Sequence, residues 1–252
     1  MKHTIWMGYD PREKLAYDVA RHSILSRTDP FQVEVRPVDL KARNVSAILA
    51  RPIERKDGKL WCPISQAPMA TEFAISRFCV PFLQKTGWCA FVDSDIVCLA
   101  EIKNLFALAD NGFAVMCVKH QQSAKRAETK MDGQLQTFYA RKNWSSCVLW
   151  NVDHPANQRL RLKELNAWPG RDLHAFRWLK DSEIGELPHE WNVLVGIDDL
   201  KKHPPAIAHY TLGSGWFPDW KRTPQDDIWY AAHAEMLSAC KSAEQVKAPS
   251  YG

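Results

Sequence analysis

An α/β fold on a mostly parallel, mixed central sheet flanked by helices is what this chain of 252 residues predicts, and three observations predict it. Short apolar runs alternate with segments of helical spacing along most of the chain. A strand, a helix and a second strand succeed one another by Leu40. A pair of carboxylates then interrupts an apolar segment in mid-chain, at what reads as the carboxyl end of a buried strand.

Residues 4 to 8 (Thr-Ile-Trp-Met-Gly) form the first apolar run, Tyr9-Asp10-Pro11 a loop, and Leu15, Val19, Ile24 and Leu25 the apolar face of a helix. After the Asp29-Pro30 turn, Val33, Val35 and Val38 alternate with Glu34, Arg36 and Asp39 as a half-buried strand does. Residues 41 to 70 are polar, carry Arg51-Pro52, Lys56-Asp57-Gly58 and Cys62-Pro63, and read as an irregular surface loop. From Ala70 to Leu83 the spacing of Phe73, Ala74, Phe78, Pro81 and Phe82 suits a helix; Trp88 to Val92 is a buried strand that stops at Asp93-Ser94-Asp95. Ile96 to Leu99 resumes the apolar character, Ile102 to Leu108 reads as a short helix, and Phe113 to Val118 and Cys147 to Trp150 as further strands with a polar stretch from Lys119 to Asp132 between them. Eight of the eleven tryptophans lie from Trp144 onward, and the last dozen residues read as a frayed tail. With no repeat and no linker, residues 1–252 read as one domain.

With 46% hydrophobic and 25% charged residues, the composition excludes disordered, collagen-like and low-complexity chains. The formal net charge of +4 is too small to imply a nucleic-acid partner. The seven cysteines contain no C-x-x-C pair from which a zinc or redox site could be built, and Cys89, Cys98, Cys117 and Cys147 read as small buried hydrophobes in a reducing compartment. The amino-terminal run turns polar too early for a signal peptide and no run approaches the length of a membrane span, so the expected location is cytoplasmic, with no transmembrane segment.

G-x-G-x-x-G, the P-loop, H-E-x-x-H and G-x-S-x-G are all missing, and His189-Glu190-Trp191-Asn192-Val193 fails the third at its last position. Asp93-Ser94-Asp95 remains. Open α/β sheets bind ligands beyond the carboxyl ends of their strands. Two carboxylates at i and i+2 there can approach one hard cation, and such an ion can clamp a diphosphate. An isolated D-x-D is more often a solvated, side-chain-capped turn, so the surroundings decide.

Six ordered blocks supply those surroundings: I-W-M-G-Y-D-P-R-E-K-L-A-Y-D-V-A-R-H-S from Ile5, S-R-F-C-V-P-F-L from Ser76, F-V-D-S-D-I-V from Phe91, Ser145 to Asn151, Leu187-Pro188 with Trp191-Asn192, and His209-Tyr210-Thr211-Leu212-Gly213. Together they resemble the nucleotide-sugar-dependent glycosyltransferases of GT-A fold, in particular the retaining glycosyltransferase family 8. The resemblance implies that Asp93, Asp95 and His209 coordinate a divalent metal, Mn2+ or Mg2+, bridging the two phosphates of a UDP-sugar donor. It implies that Gly8, Tyr9 and Asp10 border the base and ribose, that Ser94 lies beside the ribose, and that Gly213 lets backbone approach the phosphates. Arg77 would face the donor, and Asp181, with Glu183 in reserve, would stand near the transferring sugar as the catalytic acid residue. Departures are visible too: Trp144 stands where the resemblance expects asparagine, Ser146 where it expects glycine, and no cation follows Gly213 until Lys221. Lys119, Lys125, Arg126 and Lys130 are candidate substitutes, and Trp144, Trp216 and Trp220 candidate acceptor-stacking rings.

The implied function is transfer of a hexose from a UDP-sugar, with retention, to a glycan, lipid-linked or protein acceptor. A non-catalytic sugar-nucleotide or glycan-binding module of the same fold is the alternative, and a nucleotidyltransferase a lesser one.

Overall fold

The computed structural model describes residues 2–121, 141 and 143–247. In chain order the strands and helices are β1 (His3–Gly8), α1 (Lys14–Leu25), β2 (Val33–Val38), α2 (Arg43–Ser46), β3 (Glu54–Lys56), β4 (Lys59–Cys62), β5 (Ala67–Pro68), α3 (Phe73–Ser76), α4 (Val80–Leu83), β6 (Trp88–Val92) and β7 (Ile96–Cys98). They continue with α5 (Lys103–Phe106), β8 (Val115–Cys117), β9 (Cys147–Asn151), α6 (Leu162–Ala167), α7 (Gly170–His174), β10 (Ile184–Glu186), β11 (Val193–Leu194), β12 (Ile207–His209) and α8 (Asp227–Lys247).

Six strands form the central sheet in the order β10-β8-β9-β6-β1-β2. β2, β1 and β6 run parallel, as do β10 and β8, while β9 is antiparallel to both its neighbours, so the sheet is the expected mixed one. Side chains alternate between its faces with the period of two that a strand imposes. Cys89 and Phe91 of β6, with Val148 and Trp150 of β9, face one core that also takes Phe78, Phe176 and Trp178. Ala90 and Val92, with Cys147 and Leu149, face the other, which α1 covers with Tyr17, Ala20 and Ile24 and α5 with Leu105 and Phe106. Trp150 stacks nearly parallel to Trp178, at 4° and 6.1 Å between ring centroids; truncating a ring so enclosed costs about 3–5 kcal/mol.

Three expectations need correction. Residues 41 to 70 are not one irregular loop: they hold α2 and the antiparallel sheet β3-β4-β5. Asp57 and Gly58 take φ of 52° and 77°, which closes the two-residue hairpin between Lys56 and Lys59. Only Leu60 and Cys62 on β4 face inward, too brief an alternation to stand out among charged neighbours. The segment from Ala70 to Leu83 is not one helix but α3, a 3-10 turn over Arg77–Cys79 and α4, where Pro81 at the second position denies an interior hydrogen bond. Of the dozen residues expected to fray, 241–247 continue α8, which is anchored at its start by Trp229 packed on Trp216 with 5.6 Å between centroids, and 248–252 lie outside the described residues. Among the described residues no helix is long and apolar enough to cross a membrane. Six of the seven cysteines, Cys62, Cys79, Cys89, Cys98, Cys117 and Cys147, are free and buried, and Cys240 is free and exposed.

The site is placed by a change of sheet. β6 belongs to the central sheet, whereas β7, three residues beyond its end, pairs antiparallel with β12 in a separate sheet of order β11-β12-β7. The chain crosses between them at Asp93-Ser94-Asp95. The register Met7↔Val92 sets Gly8, Tyr9 and Asp10 beside that crossing.

Candidate active site

Backbone pairing fixes the three expected ligands. Asp93 N–H donates to Ser146 O at 2.9 Å, extending the β6–β9 ladder by one residue, and Tyr210 N–H donates to Asp95 O at 2.8 Å. His209 sits opposite Ile96 in the β12–β7 pairing. Its Nε2 lies 3.2 Å from Asp95 Oδ1 and 3.9 Å from Asp93 Oδ2. The three side chains form a cluster whose ligand atoms all lie within 4.8 Å of one another, with relative exposures of 8% for Asp93, 3% for Asp95 and 2% for His209.

Isolated buried carboxylates are costly unless compensated, and Arg77 compensates Asp93. Its Nη1 lies 2.8 Å from Asp93 Oδ1 and donates to Ser145 O at 3.0 Å, while its Nε donates to Phe73 O at 3.3 Å. The guanidinium lies over the rings of Phe73 and Phe91, at 5.5 and 5.2 Å from their centroids. Arg77, expected to face the donor, is therefore 6% exposed and directed at Asp93 from behind.

The imidazole is oriented by Asn192. Asn192 Nδ2 donates to Ser146 Oγ at 2.9 Å and to Asn143 O at 3.2 Å, so its Oδ1 faces His209 Nδ1, at 2.8 Å. His209 Nδ1 is then the N–H donor to Asn192, and Nε2, which faces the two aspartates, is the ring nitrogen left for a metal. Asn143 is left-handed at φ 65°, which turns its carbonyl toward both Asn192 and Ser146 Oγ. This donor set fits a borderline divalent cation: carboxylate oxygens suit Mg2+ and Mn2+, and a neutral imidazole shifts the preference toward Mn2+. The 3.2 Å between His209 Nε2 and Asp95 Oδ1 matches the roughly 3 Å between adjacent ligand atoms on one such ion.

The remaining expected residues are placed as follows. Gly8 ends β1, and a Cβ there would lie 2.5 Å from the Phe73 ring. Tyr9 meets Tyr17 edge-on at 5.1 Å. Asp10 is enclosed; it accepts from Arg12 Nη2 at 2.6 Å and from the Arg12 and Glu72 N–H groups at 3.0 and 2.9 Å. Burial raises its pKa, and those hydrogen bonds outweigh burial and hold the carboxyl below its usual value. Ser94 is fully buried and its hydroxyl has no hydrogen-bond partner. Gly213 adopts φ 104°, and a Cβ would lie 2.6 Å from Phe217. The next residue is tethered by a 2.7 Å bond from Ser214 Oγ to Asp226.

Asp181 and Glu183 form the 3-10 turn before β10 and do not join the Asp93–Asp95–His209 cluster. Asp181, with its side chain 89% exposed, pairs with Arg141, and Glu183 pairs with Arg159. Lys119 and Arg141 flank the Trp144 ring at 5.9 and 5.4 Å. Lys125, Arg126 and Lys130 lie outside the described residues. Trp216 is buried, while Trp144 and Trp220 are half-buried.

Sequence reasoning missed the supporting groups: Asn192 behind His209, the Arg77–Asp93 pair, and a second cluster of His120, His189 and Asp198. Burial pushes the His120 imidazole down to about 4. The signal for Asn192 was present in the Trp191-Asn192 pair, but nothing in its spacing named His209 as its partner.

No protein-family model matches the chain. It is 44% identical over 230 residues to Protein CDI of Arabidopsis thaliana, a match covering 89% of this chain and 83% of that protein. Among solved structures, the apo-form glycosyltransferase GlyE of Streptococcus pneumoniae TIGR4 is similar with a TM-score of 0.58 at 15% identity, covering 100% of this chain and 66% of GlyE. This chain thus spans just under two thirds of that protein's length. The galactosyltransferase LgtC, solved with donor and acceptor sugar analogues, is similar with a TM-score of 0.57 at 13% identity over 92% of this chain and 96% of LgtC. At such identities the likeness is one of fold, and the fold is GT-A.

Proposed function

The chain belongs to the family of Protein CDI from Arabidopsis thaliana and carries the GT-A fold, and from its buried acid–imidazole cluster we propose that it is a metal-dependent glycosyltransferase. The observation that carries this reading is the convergence of Asp93, Asp95 and His209, from two sheets, where the chain passes from β6 to β7. Under it the donor is a UDP-sugar, the transferred group a hexose, the configuration retained, and the acceptor a glycan, lipid-linked or protein hydroxyl.

A bound divalent ion, Mn2+ or Mg2+, supplies Lewis-acid stabilisation of the charge that builds on the departing diphosphate. The protein presets what receives it. Arg77 engages Asp93 Oδ1 and leaves Oδ2 on the side of His209. Asn192 keeps the His209 lone pair aimed at the same point. Gly8, Tyr9 and Asp10 are assigned to the border of the base and ribose, with Ser94 beside the ribose, and Asp10 also holds Arg12 and the Glu72 backbone. The backbone at Gly213 approaches the phosphates, and Asp181, with Glu183 beside it, is assigned to the neighbourhood of the transferring sugar.

The test is turnover of UDP-sugars, without acceptor, in the presence and absence of Mn2+. The wild-type chain is expected to cleave one of them only with the metal, and Asp95→Asn to lose at least 100-fold of that rate, about 2.7 kcal/mol of transition-state stabilisation, while melting cooperatively. Equal turnover by Asp95→Asn would reject the assignment. Protection of the donor without cleavage would favour a binding module, and pyrophosphate release from a nucleoside triphosphate a nucleotidyltransferase.

A further inference from the structure

A second cluster lies just beyond Asn192, and the proposed chemistry does not use it. His120 follows β8, His189 opens the 3-10 turn His189–Asn192, and Asp198 closes the turn after β11. The ligand atoms of these three side chains lie within 4.8 Å of one another. His189 Nε2 is 2.9 Å from Asp198 Oδ2, a hydrogen-bond separation that a small side-chain shift opens to the roughly 3.3 Å between two ligand atoms on one tetrahedral zinc. Leu194 N–H donates to the same Oδ2 at 2.8 Å, and Asp198 N–H returns a bond to Leu194 O at 2.8 Å, so the carboxylate is held in place by backbone. His120 Nε2 is enclosed and has no hydrogen-bond partner. The rings of His120 and His189 meet edge-on at 5.4 Å, and His203 packs on His189 at 4.5 Å between centroids.

We infer that His120, His189 and Asp198 form a second metal site, distinct from the Asp93–Asp95–His209 cluster, that takes a zinc-class divalent cation. The two clusters differ in the chemistry that selects an ion. One offers two carboxylates and one imidazole, the other two imidazoles and one carboxylate. Imidazole-rich sets favour Zn2+ and its neighbours over Mg2+ and Mn2+, and three protein ligands leave a fourth tetrahedral position for water or a ligand. The ion takes the place of the proton between His189 Nε2 and Asp198 Oδ2, so its binding releases that proton or moves it to Nδ1. The site's outer rim is open, since the His189 side chain is 36% exposed. Its existence does not depend on glycosyl transfer.

The experiment titrates the metal-free full chain with Zn2+ by calorimetry and with Co2+ by visible absorption, alongside His189→Gln, Asp198→Ala and Asp95→Asn. Two ions per wild-type chain are expected, with the Co2+ spectrum including the intense bands of tetrahedral coordination. His189→Gln and Asp198→Ala are each expected to lose that spectrum, and one ion, by more than the roughly 10–100-fold that loss of a supporting contact costs. Asp95→Asn keeps the spectrum and loses the other ion. The inference is overturned if His189→Gln and Asp198→Ala, folded by thermal melting, bind the same number of ions with the same spectrum as wild type. It is equally overturned if the chain binds one ion and only Asp95→Asn removes it. Loss of UDP-sugar turnover in Asp95→Asn bears on the proposed function alone.

Discussion

Asn192 Oδ1 accepts the Nδ1 proton of His209 at 2.8 Å, and Asn192 is itself pinned by Ser146 Oγ and Asn143 O. The tautomer that can bind a metal is thus set by a residue that touches no ligand. Asn192→Ala is expected to weaken Mn2+ binding by about 10–100-fold and to cost about 1–3 kcal/mol, because a buried imidazole N–H loses its acceptor. Asn192→Asp retains an acceptor and should restore most of the affinity; calorimetric Mn2+ titration of both variants checks the pair.

Arg77 and Asp93 form a buried ion pair at 2.8 Å. Removing one partner of such a pair costs about 3–5 kcal/mol because the other charge is left uncompensated. Arg77→Met is therefore expected to be strongly destabilised in metal-free buffer and partly rescued by Mn2+, which neutralises Asp93 instead. Urea denaturation with and without the ion measures the rescue, and an equal penalty in both conditions would show that Asp93 does not meet the metal.

Asp226 organises the loop behind Gly213. It accepts from Ser214 Oγ at 2.7 Å, Trp220 Nε1 at 2.9 Å, and the Thr223 N–H and hydroxyl at 2.7 and 2.9 Å. Burial raises its pKa, but these donors outweigh it and keep the carboxyl below its usual value. Asp226→Ala leaves them unmatched and should cost about 3 kcal/mol. It should also weaken UDP binding, since the segment at Gly213 loses its tether; fluorescence titration of UDP and thermal melting together separate the two effects.

His174 is a buried imidazole whose Nδ1 lies 2.7 Å from Ser145 Oγ. Burial first, then the positive charge of Arg77, hold its pKa well below 6.5. The folded chain leaves it neutral where the unfolded chain takes up a proton, so the stability it contributes is complete above pH 6.5 and declines as the pH falls below that value. His120, pushed down to about 4, acts with the same sign between 6.5 and 4. The urea midpoint of metal-free protein is expected to drop between pH 7.5 and 5, and His174→Gln to flatten that slope; a midpoint that rises toward pH 5 would contradict it.

The strands of the central sheet were legible because Trp88 to Val92 and Cys147 to Trp150 are apolar on both faces and buried on both, which no loop would be. The sense of β9 was not legible: both its neighbours meet it antiparallel, a fact of register that its own five residues do not encode. The β3-β4-β5 sheet was hidden because one face is solvated and β3 is exposed throughout. At the site, Asp93 and Asp95 could be read from their position at a strand end, and His209 only through resemblance. What connects them, Arg77 below Asp93 and Asn192 behind His209, depends on backbone turns at Ser145, Ser146 and Asn143 whose meeting with residues 77 and 192 is tertiary.

In the proposed function Asp93, Asp95 and His209, which converge in one cluster, jointly hold one cation against a diphosphate. Calorimetric titration of UDP into wild type and Asp95→Asn, each with and without Mn2+, tests it most directly. Mn2+ is expected to tighten UDP binding to wild type by at least 100-fold, about 2.7 kcal/mol, and to leave the variant's affinity unchanged. Equal UDP affinity in wild type with and without the metal, or the same metal effect in Asp95→Asn, would contradict it.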